Sequence, residues 1–212
     1  MGLLNSLLSR VRGLASPAGV VDVFAGRRAV TTELSLVIAL VSIFGLGLGG
    51  WLWWWASGMS ALRPDLTLWT VFVRSALFGT AVSFGLWLGW LLVAFAVLQR
   101  VTGAAVPMER LLREAGLATA PLALGVLMVV PYLAFGLGVA VLGAWVVSMQ
   151  GALERATGYR GGWILVANTL GFGLWAGVLS LLGARGDVYA PGPFLAHSVW
   201  EIVARLASQA AR

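Results

Sequence analysis

Hydrophobic residues occur along the chain in long uncharged stretches that predict membrane-spanning helices. Three of these stretches are each long enough for one crossing, and they predict spans over residues 34–56, 75–98 and 163–183. About 20 apolar residues in α-helical form cross the hydrocarbon core of a bilayer. Each of the three stretches therefore predicts one transmembrane helix.

A fourth stretch, between Glu114 and Glu154, is uncharged for 39 residues. A single α-helix of that length would extend about 58 Å at 1.5 Å per residue, nearly twice the roughly 30 Å hydrocarbon core. Pro131 lies within the stretch, and proline breaks a helix because it lacks a backbone N–H and clashes with the preceding turn. We therefore predict two short spans, 115–130 and 133–150, that form a tight hairpin. The alternative is a single kinked span.

The composition supports this pattern, because 60% of the 212 residues are hydrophobic and only 10% are charged. A soluble globular domain carries about 25% charged residues, so most of this chain is expected to lie in lipid. We predict an all-α, polytopic integral membrane protein with five transmembrane helices, of which the third and fourth form a tight hairpin, and with amphipathic terminal helices.

Both ends of the chain have an amphipathic pattern. Residues 3–14 and 194–208 place leucine, isoleucine and valine at helical spacing on one face. Such helices lie flat in the headgroup region of a membrane or dock on a partner subunit. The predicted organisation is an amphipathic N-terminal segment (1–33), a five-helix transmembrane domain (34–183) and a C-terminal interfacial helix or tail (184–212).

The distribution of arginine predicts the orientation in the membrane. With five spans, nine arginines lie on the side of the N-terminus and five on the other side. Loops rich in arginine stay on the cytoplasmic side, so we predict a cytoplasmic N-terminus. The chain has no lysine and is rich in alanine, glycine, leucine and valine, a composition typical of a GC-rich bacterial genome. We therefore expect a multi-pass protein of the bacterial inner, or plasma, membrane.

Four tryptophans fall within five residues at the end of the first predicted span: Trp51, Trp53, Trp54 and Trp55. Tryptophan has an apolar ring with one polar N–H, and it is enriched where acyl chains meet headgroups. We expect these residues to anchor the span at the membrane–water boundary or to contact a partner protein. A stacking platform for an aromatic ligand or pigment is the alternative.

Three predicted spans each carry two glycines four positions apart. Small residues at this spacing let two helix backbones approach closely, and packing drives helix association inside lipid. The pairs therefore predict helix packing, either within one chain or between chains. They are Gly45 and Gly49, Gly85 and Gly89, and Gly173 and Gly177.

Charged residues are absent from all the predicted spans, whereas ion pathways and proton relays usually place charged groups inside the bilayer. Asn168 is the strongest polar group within a span. We expect it to form an interhelical hydrogen bond, and a transport role is the alternative. His197 is the single histidine and cysteine is absent, so we expect no metal site, no cofactor and no catalytic activity.

The second loop, residues 99–114, is the richest polar segment of the chain. It contains Arg100, Arg110 and Arg113, and residues 108–113 have the pattern of a short surface helix. One interpretation is a connector whose arginines lie near anionic lipid. The other is a cytoplasmic docking site for a partner protein.

The second loop leads into Ala115-Gly116-Leu117-Ala118 with Pro121, and Pro131, Trp145 and the stretch 152–158 follow in the hairpin. Together these residues resemble the Yip1 domain family in its bacterial form. The resemblance covers about residues 15–183. Leu117 stands where the family usually has tyrosine, and the Asp-Leu-Tyr-Gly-Pro motif of eukaryotic members is missing. The resemblance implies five spans, a cytoplasmic N-terminus and a membrane-embedded interaction or scaffold protein without known catalysis.

These observations lead to two functional hypotheses. The first is a non-catalytic accessory subunit or scaffold that acts through helix–helix contacts in the bilayer. Its partners would be the lipid bilayer and other membrane proteins, in a larger complex or by self-association, and we expect no nucleic-acid partner. The alternative is a transporter or channel for a small neutral or lipidic solute, with the hairpin as a broken-helix site.

Overall fold

The structure is a computed structural model, and it describes residues 30–103, 107–184 and 188–195. Over these ranges the protein is all-helical, and five helices are long and apolar enough to cross a membrane. The prediction of five spans is therefore confirmed over the single kinked alternative. We number the spans in chain order: Thr32–Ala56, Leu68–Val101, Met108–Val129, Ala134–Thr157 and Gly162–Gly183.

The connection between the first and second spans contains a short helix over Met59–Leu62. Beyond it, the guanidinium of Arg63 donates two hydrogen bonds of 3.1 Å to the carboxylate of Asp65. These hydrogen bonds hold the pKa of the Asp65 carboxyl below its ordinary value. Because both side chains are open to solvent, the ion pair adds little to stability.

Three consecutive helical segments build the second span. An α-helical turn over Leu68–Val71 leads into a π-helix over Phe72–Phe78, and an α-helix over Gly79–Thr102 completes the span. Thr67 caps the start, because its side chain accepts a hydrogen bond from a backbone N–H three residues later. The span therefore includes Arg74, whereas the charge pattern predicts a start one residue after it.

The third span changes helix type near Pro121. Met108–Ala118 is an α-helix, and Ala120–Val129 is a 3₁₀-helix with Pro121 at its start. Proline has no backbone N–H to donate, so the α-helical ladder is interrupted there. Next to the break, the hydroxyl of Thr119 donates to the backbone carbonyl of Gly116 at 2.6 Å.

The start of the third span corrects one prediction. The sequence predicts a separate surface helix over residues 108–113 and a span that begins at residue 115. In the structure one helix runs from Met108 into the span. Leu111 and Ala115 are both buried, because this helix packs against the first and fourth spans. The segment is therefore part of the bundle.

A turn over residues 130–133, which contains Pro131, joins the third and fourth spans as the predicted tight hairpin. Successive spans run in opposite directions and give the bundle two ends. At one end, Arg155 forms an ion pair of 3.0 Å with Glu114. We call this the Glu154 end, after the last acidic residue of the fourth span, and we call the opposite end the Pro131 end.

The first and third spans run parallel and approach each other most closely at glycines. A Cβ added at Gly49 would overlap the carbonyl oxygen of Gly125. A Cβ added at Gly125 would lie 2.7 Å from the Cα of Leu46, and one at Gly116 would lie 2.5 Å from the carbonyl oxygen of Ser35. Non-bonded carbon atoms are optimally about 3.5–4.0 Å apart, so this interface has room only for glycine at these points.

After the fifth span the chain turns back into the bundle. Residues 188–195, which we call the re-entrant segment, are mostly buried, and Ala190 is fully buried. The ring of Phe194 contacts Trp175 with ring centroids 5.5 Å apart, nine residues before the end of the helix Gly162–Ala184. The backbone of Gly192 lies beside Gly50, six residues before the end of the first span, so at 1.5 Å per residue the segment reaches about 9 Å into the bundle from the Pro131 end.

Proline and glycine give the re-entrant segment its irregular backbone. Gly192 has a φ of 61°, a left-handed conformation that favours glycine, and an added Cβ would lie 2.7 Å from the Cγ of Leu46. Irregular backbone at membrane depth needs protein partners for its polar groups. The hydroxyl of Ser75 in the π-helix supplies one, because it donates to the carbonyl of Ala190 at 3.1 Å.

The burial of the re-entrant segment differs from the surface position predicted for the tail, residues 184–212. The fourth span has a small residue where it meets the re-entrant segment. A Cβ added at Gly138 in that span would lie 2.8 Å from the Cβ of Pro193. The rest of the predicted tail helix, including His197, lies outside the described ranges. The same is true of the amphipathic helix predicted for residues 3–14.

Candidate functional site

Aromatic side chains from the second, fourth and fifth spans meet inside the bundle. Trp90, Trp145 and Trp175 are fully buried. Their rings meet edge to face, with centroids 4.9 Å apart for Trp90 and Trp145 and 4.8 Å apart for Trp145 and Trp175. Phe172 and Phe194 extend this group, and we call the five side chains the aromatic cluster. Each such ring pair contributes about 0.5–1.5 kcal/mol beyond its buried area.

Two small residues position the rings of the aromatic cluster. Gly171 makes room for Trp90, because a Cβ added at this glycine would overlap the indole ring. Ser83 orients Trp175, whose indole N–H donates to the backbone carbonyl and to the hydroxyl of Ser83 at 3.1 Å each. The cluster therefore links three spans and the re-entrant segment in a fixed arrangement.

Several buried polar atoms in the same region lack a hydrogen-bond partner within the described parts of the chain. They include the indole nitrogens of Trp90 and Trp145 and the side-chain oxygen of Asn168. The amide nitrogen of Asn168 does form an interhelical hydrogen bond, since it donates to the carbonyl of Val146 at 3.1 Å. All these groups are neutral donors and acceptors. They can hydrogen-bond a bound molecule, but none of them gains or loses a proton near neutral pH.

The tryptophans at the end of the first span divide between interior and surface. Trp53 and Trp54 are 7% and 3% exposed, whereas Trp55 is 58% exposed. The indole N–H of Trp51 donates to the backbone carbonyl of Leu68 at 3.0 Å and so connects the first span to the start of the second. Of the four, Trp55 alone presents a largely open ring to the surroundings of the bundle.

The glycine pairs take two different positions. The pair in the first span faces the third span, and a Cβ added at Gly45 would lie 3.0 Å from the Cα of Ala123. The pairs in the second and fifth spans face away from the other residues that the structure describes. Among those residues, no atom lies within 4 Å of a Cβ added at Gly85, Gly173 or Gly177, and a Cβ added at Gly89 meets only a leucine methyl group at 3.9 Å.

The three arginines assigned to the second loop lie at the Glu154 end. Arg100 and Arg110 are exposed, and Arg113 is half-buried. Arg110 donates to the backbone carbonyl of Arg155 at 2.6 Å, and Arg155 also pairs with Glu114. Arg110 therefore helps to hold the third span against the fourth, whereas the exposed Arg100 projects from the end of the second span.

A groove with a volume of about 350 Å³ lies between the fourth and fifth spans at the Pro131 end. Its lining side chains are apolar except for one serine, and the re-entrant segment forms part of it. We call it the Phe194 groove. The residues that line it are Phe135, Val139, Leu142, Ser180, Gly183, Pro193 and Phe194.

Sequence reasoning missed the aromatic cluster and the re-entrant segment. A signal for the cluster was present, because Trp90, Trp145 and Trp175 lie within predicted spans, away from the interfaces where tryptophan is usually enriched. The re-entrant segment has no comparable signal, since its few apolar residues around Pro191 and Gly192 are also typical of a surface turn.

The described residues contain no group of three or more histidine, aspartate or glutamate side chains that could hold a metal ion. The chain matches no protein-family model, no curated protein and no solved structure. The geometry alone therefore defines the candidate site of this multi-pass membrane protein. Its first feature is the buried aromatic cluster with unpartnered neutral polar atoms, and its second is the apolar groove beside the cluster. The third feature is the two outward-facing glycine pairs.

Proposed function

We propose that this protein acts as a non-catalytic accessory subunit or scaffold through helix–helix contacts in the bilayer. The observation that carries the proposal is the outward position of the glycine pairs in the second and fifth spans. A glycine within a helix costs about 0.8–1.0 kcal/mol relative to alanine. Glycine on a lipid-facing surface is therefore unfavourable unless another helix backbone packs closely against it.

The two outward-facing pairs lie on neighbouring spans that pack against each other. Leu174 of the fifth span places a methyl group 3.9 Å from a Cβ added at Gly89 of the second span. At 3.6 residues per turn, Gly177 lies about 60° around the fifth span from Leu174 and Gly173 about 100°. Gly89 and Gly177 therefore flank the seam between the two spans more closely than Gly173 does. A partner helix, from another membrane protein or from a second copy, would pack along this seam.

The remaining parts of the proposal rest on sequence patterns. The excess of arginine on one side of the membrane supports a cytoplasmic N-terminus, and the composition supports the bacterial inner membrane. The resemblance to the Yip1 domain family through Pro121 and Pro131 supports an interaction protein, and both prolines stand at breaks of helical structure.

Replacing Gly173 and Gly177 together by leucine tests the proposal. The leucines would occupy the space through which a partner backbone approaches, so we expect the assembly to dissociate while the chain itself stays folded. Blue native electrophoresis of membranes extracted in digitonin measures this directly. The wild-type chain should migrate well above its 22.3 kDa monomer mass, and the double variant should migrate as the smaller species.

Gly143→Leu provides the matched control. Gly143 is an exposed glycine with no atom within 4 Å of an added Cβ, but valine occupies both positions four residues away, Val139 and Val147. This variant should assemble as the wild type does. A wild-type chain that migrates as a monomer, or a double variant that assembles normally, would refute the proposal.

A second candidate function is a transporter or channel for a small neutral or lipidic solute. The re-entrant segment favours it, because irregular backbone at membrane depth is typical of substrate sites in transporters. The unpartnered oxygen of Asn168 and the indole N–H groups of Trp90 and Trp145 would then face the solute path.

Asn168→Leu distinguishes the two functions. The change removes the hydrogen bond to Val146, and we expect a loss of stability of about 0.6 kcal/mol, as is typical for such bonds in membranes. Assembly should be unchanged. Stopped-flow light scattering of proteoliposomes in a glycerol gradient should show the same flux for wild type, variant and protein-free vesicles. A wild-type glycerol flux that Asn168→Leu abolishes would favour the transporter instead.

A further inference from the structure

We propose that the Phe194 groove binds one acyl chain of a membrane lipid. The groove lies at the Pro131 end of two spans, since Phe135 is the second residue of the helix Ala134–Thr157 and Gly183 is the last residue of the fifth span. The molecules that surround the spans at this level are lipids. The groove is therefore open to the hydrocarbon chains of a single leaflet, close to the headgroups.

The walls of the groove match hydrocarbon chemistry. Phe135 and Val139 are 55% and 50% exposed, and Pro193 and Phe194 close the groove on the side of the re-entrant segment. Ser180 is the one polar side chain in the lining. An empty cleft in lipid would lose dispersion contacts along all these walls, whereas an acyl chain restores them and covers little polar surface besides Ser180.

The dimensions favour an acyl chain over a second protein helix. Phe135 and Leu142 are seven residues apart, or about 10 Å along the helix axis. An α-helix is about 10–12 Å wide, so a 10 Å length of it fills roughly 800–1,100 Å³. The groove provides about 350 Å³, which accepts a flexible hydrocarbon chain but is too small to enclose a helix.

The bound chain would contact the same segment that completes the aromatic cluster. Phe194 lines the groove and also packs edge to face on Trp175 at 5.5 Å. A lipid in the groove therefore stabilises the re-entrant segment from the outside, while Trp175 holds it from the inside. This role is independent of the glycine pairs, because Gly173 and Gly177 do not line the groove.

Photolabelling in vesicles tests the proposal. The full chain is reconstituted in dioleoyl-phosphatidylcholine that contains a small fraction of phosphatidylcholine with a diazirine on one acyl chain. After irradiation, mass spectrometry should find several-fold more adduct on residues 135–142 and 193–194 than around Val147, which is also lipid-facing at 67% exposure. Equal labelling at all exposed positions would overturn the proposal.

Two groove-filling variants and one matched control sharpen the test. Val139→Trp and Ser180→Leu fill the groove from opposite walls, and each should lower the adducts on residues 193–194 to the level seen around Val147. Val147→Trp makes the same change on the same helix outside the groove, and it should leave the labelling unchanged. Crosslinks between two copies at residue 139, without lipid adducts in the groove, would show that a second chain occupies it and would also overturn the proposal.

Discussion

Gly49→Ala is expected to destabilise the protein by about 2 kcal/mol, although alanine is the better helix former. The added methyl group would overlap the carbonyl oxygen of Gly125, and a backbone carbonyl cannot move aside as a flexible side chain can. Overpacking of this kind costs about 1–3 kcal/mol or occasionally more, and it exceeds the gain of about 0.8–1.0 kcal/mol in helix propensity. The free energy of unfolding, measured by circular dichroism during titration with sodium dodecyl sulfate, reports the change.

Gly85→Ala is the control for this prediction. Gly85 belongs to the same kind of glycine pair but has no atom within 4 Å of an added Cβ, so only the helix propensity changes. The variant should be as stable as the wild type or slightly more stable. If Gly49→Ala and Gly85→Ala had equal effects, the close contact between the first and third spans would be disproved.

Trp175→Ala should cost about 3 kcal/mol and should also release the re-entrant segment. The ring is fully buried between Trp145 and Phe194, and loss of a buried tryptophan leaves a cavity that costs about 3–5 kcal/mol in soluble proteins. The lower end applies here because lipid is as apolar as the interior, so the lost packing dominates. The titration with sodium dodecyl sulfate again measures the free energy of unfolding. Circular dichroism reports it because the spans remain helical until the bundle unfolds.

Cysteine labelling measures the release of the re-entrant segment directly. The chain has no cysteine, so Ala190→Cys introduces a single thiol at a fully buried position. Its reaction with a water-soluble maleimide should be slow in the parent chain and several-fold faster with Trp175→Ala. The control is Trp163→Ala, on the same span but 49% exposed, which should change neither stability nor labelling. Equal labelling rates in all three chains would contradict the role of Trp175.

The number of spans could be predicted because length and charge obey simple rules. An uncharged stretch too long for one crossing and interrupted by Pro131 must turn back. The start of the second span could not be predicted by the same rule. Arg74 was placed outside because it is charged, but its guanidinium lies 5.4 Å from the ring centroid of Tyr189, an attractive contact that the sequence does not reveal.

The faces of the spans could not be predicted, and the reason is the solvent. In water a buried face is apolar and an exposed face polar, but in lipid both faces are apolar. The pairs at Gly45 and Gly173 therefore look alike in sequence, although one packs within the chain and the other faces outward. For the same reason Trp54 and Trp55 are adjacent and chemically identical, but one is buried and one exposed.

The change of helix type lengthens the uncharged part of the third span. As an α-helix, the uncharged residues 115–130 would extend about 24 Å, which is short of the roughly 30 Å hydrocarbon core. A 3₁₀-helix rises about 2.0 Å per residue, so the ten residues of Ala120–Val129 gain about 5 Å. This stretching largely removes the hydrophobic mismatch, and Glu114 can stay at the headgroups without local thinning of the membrane.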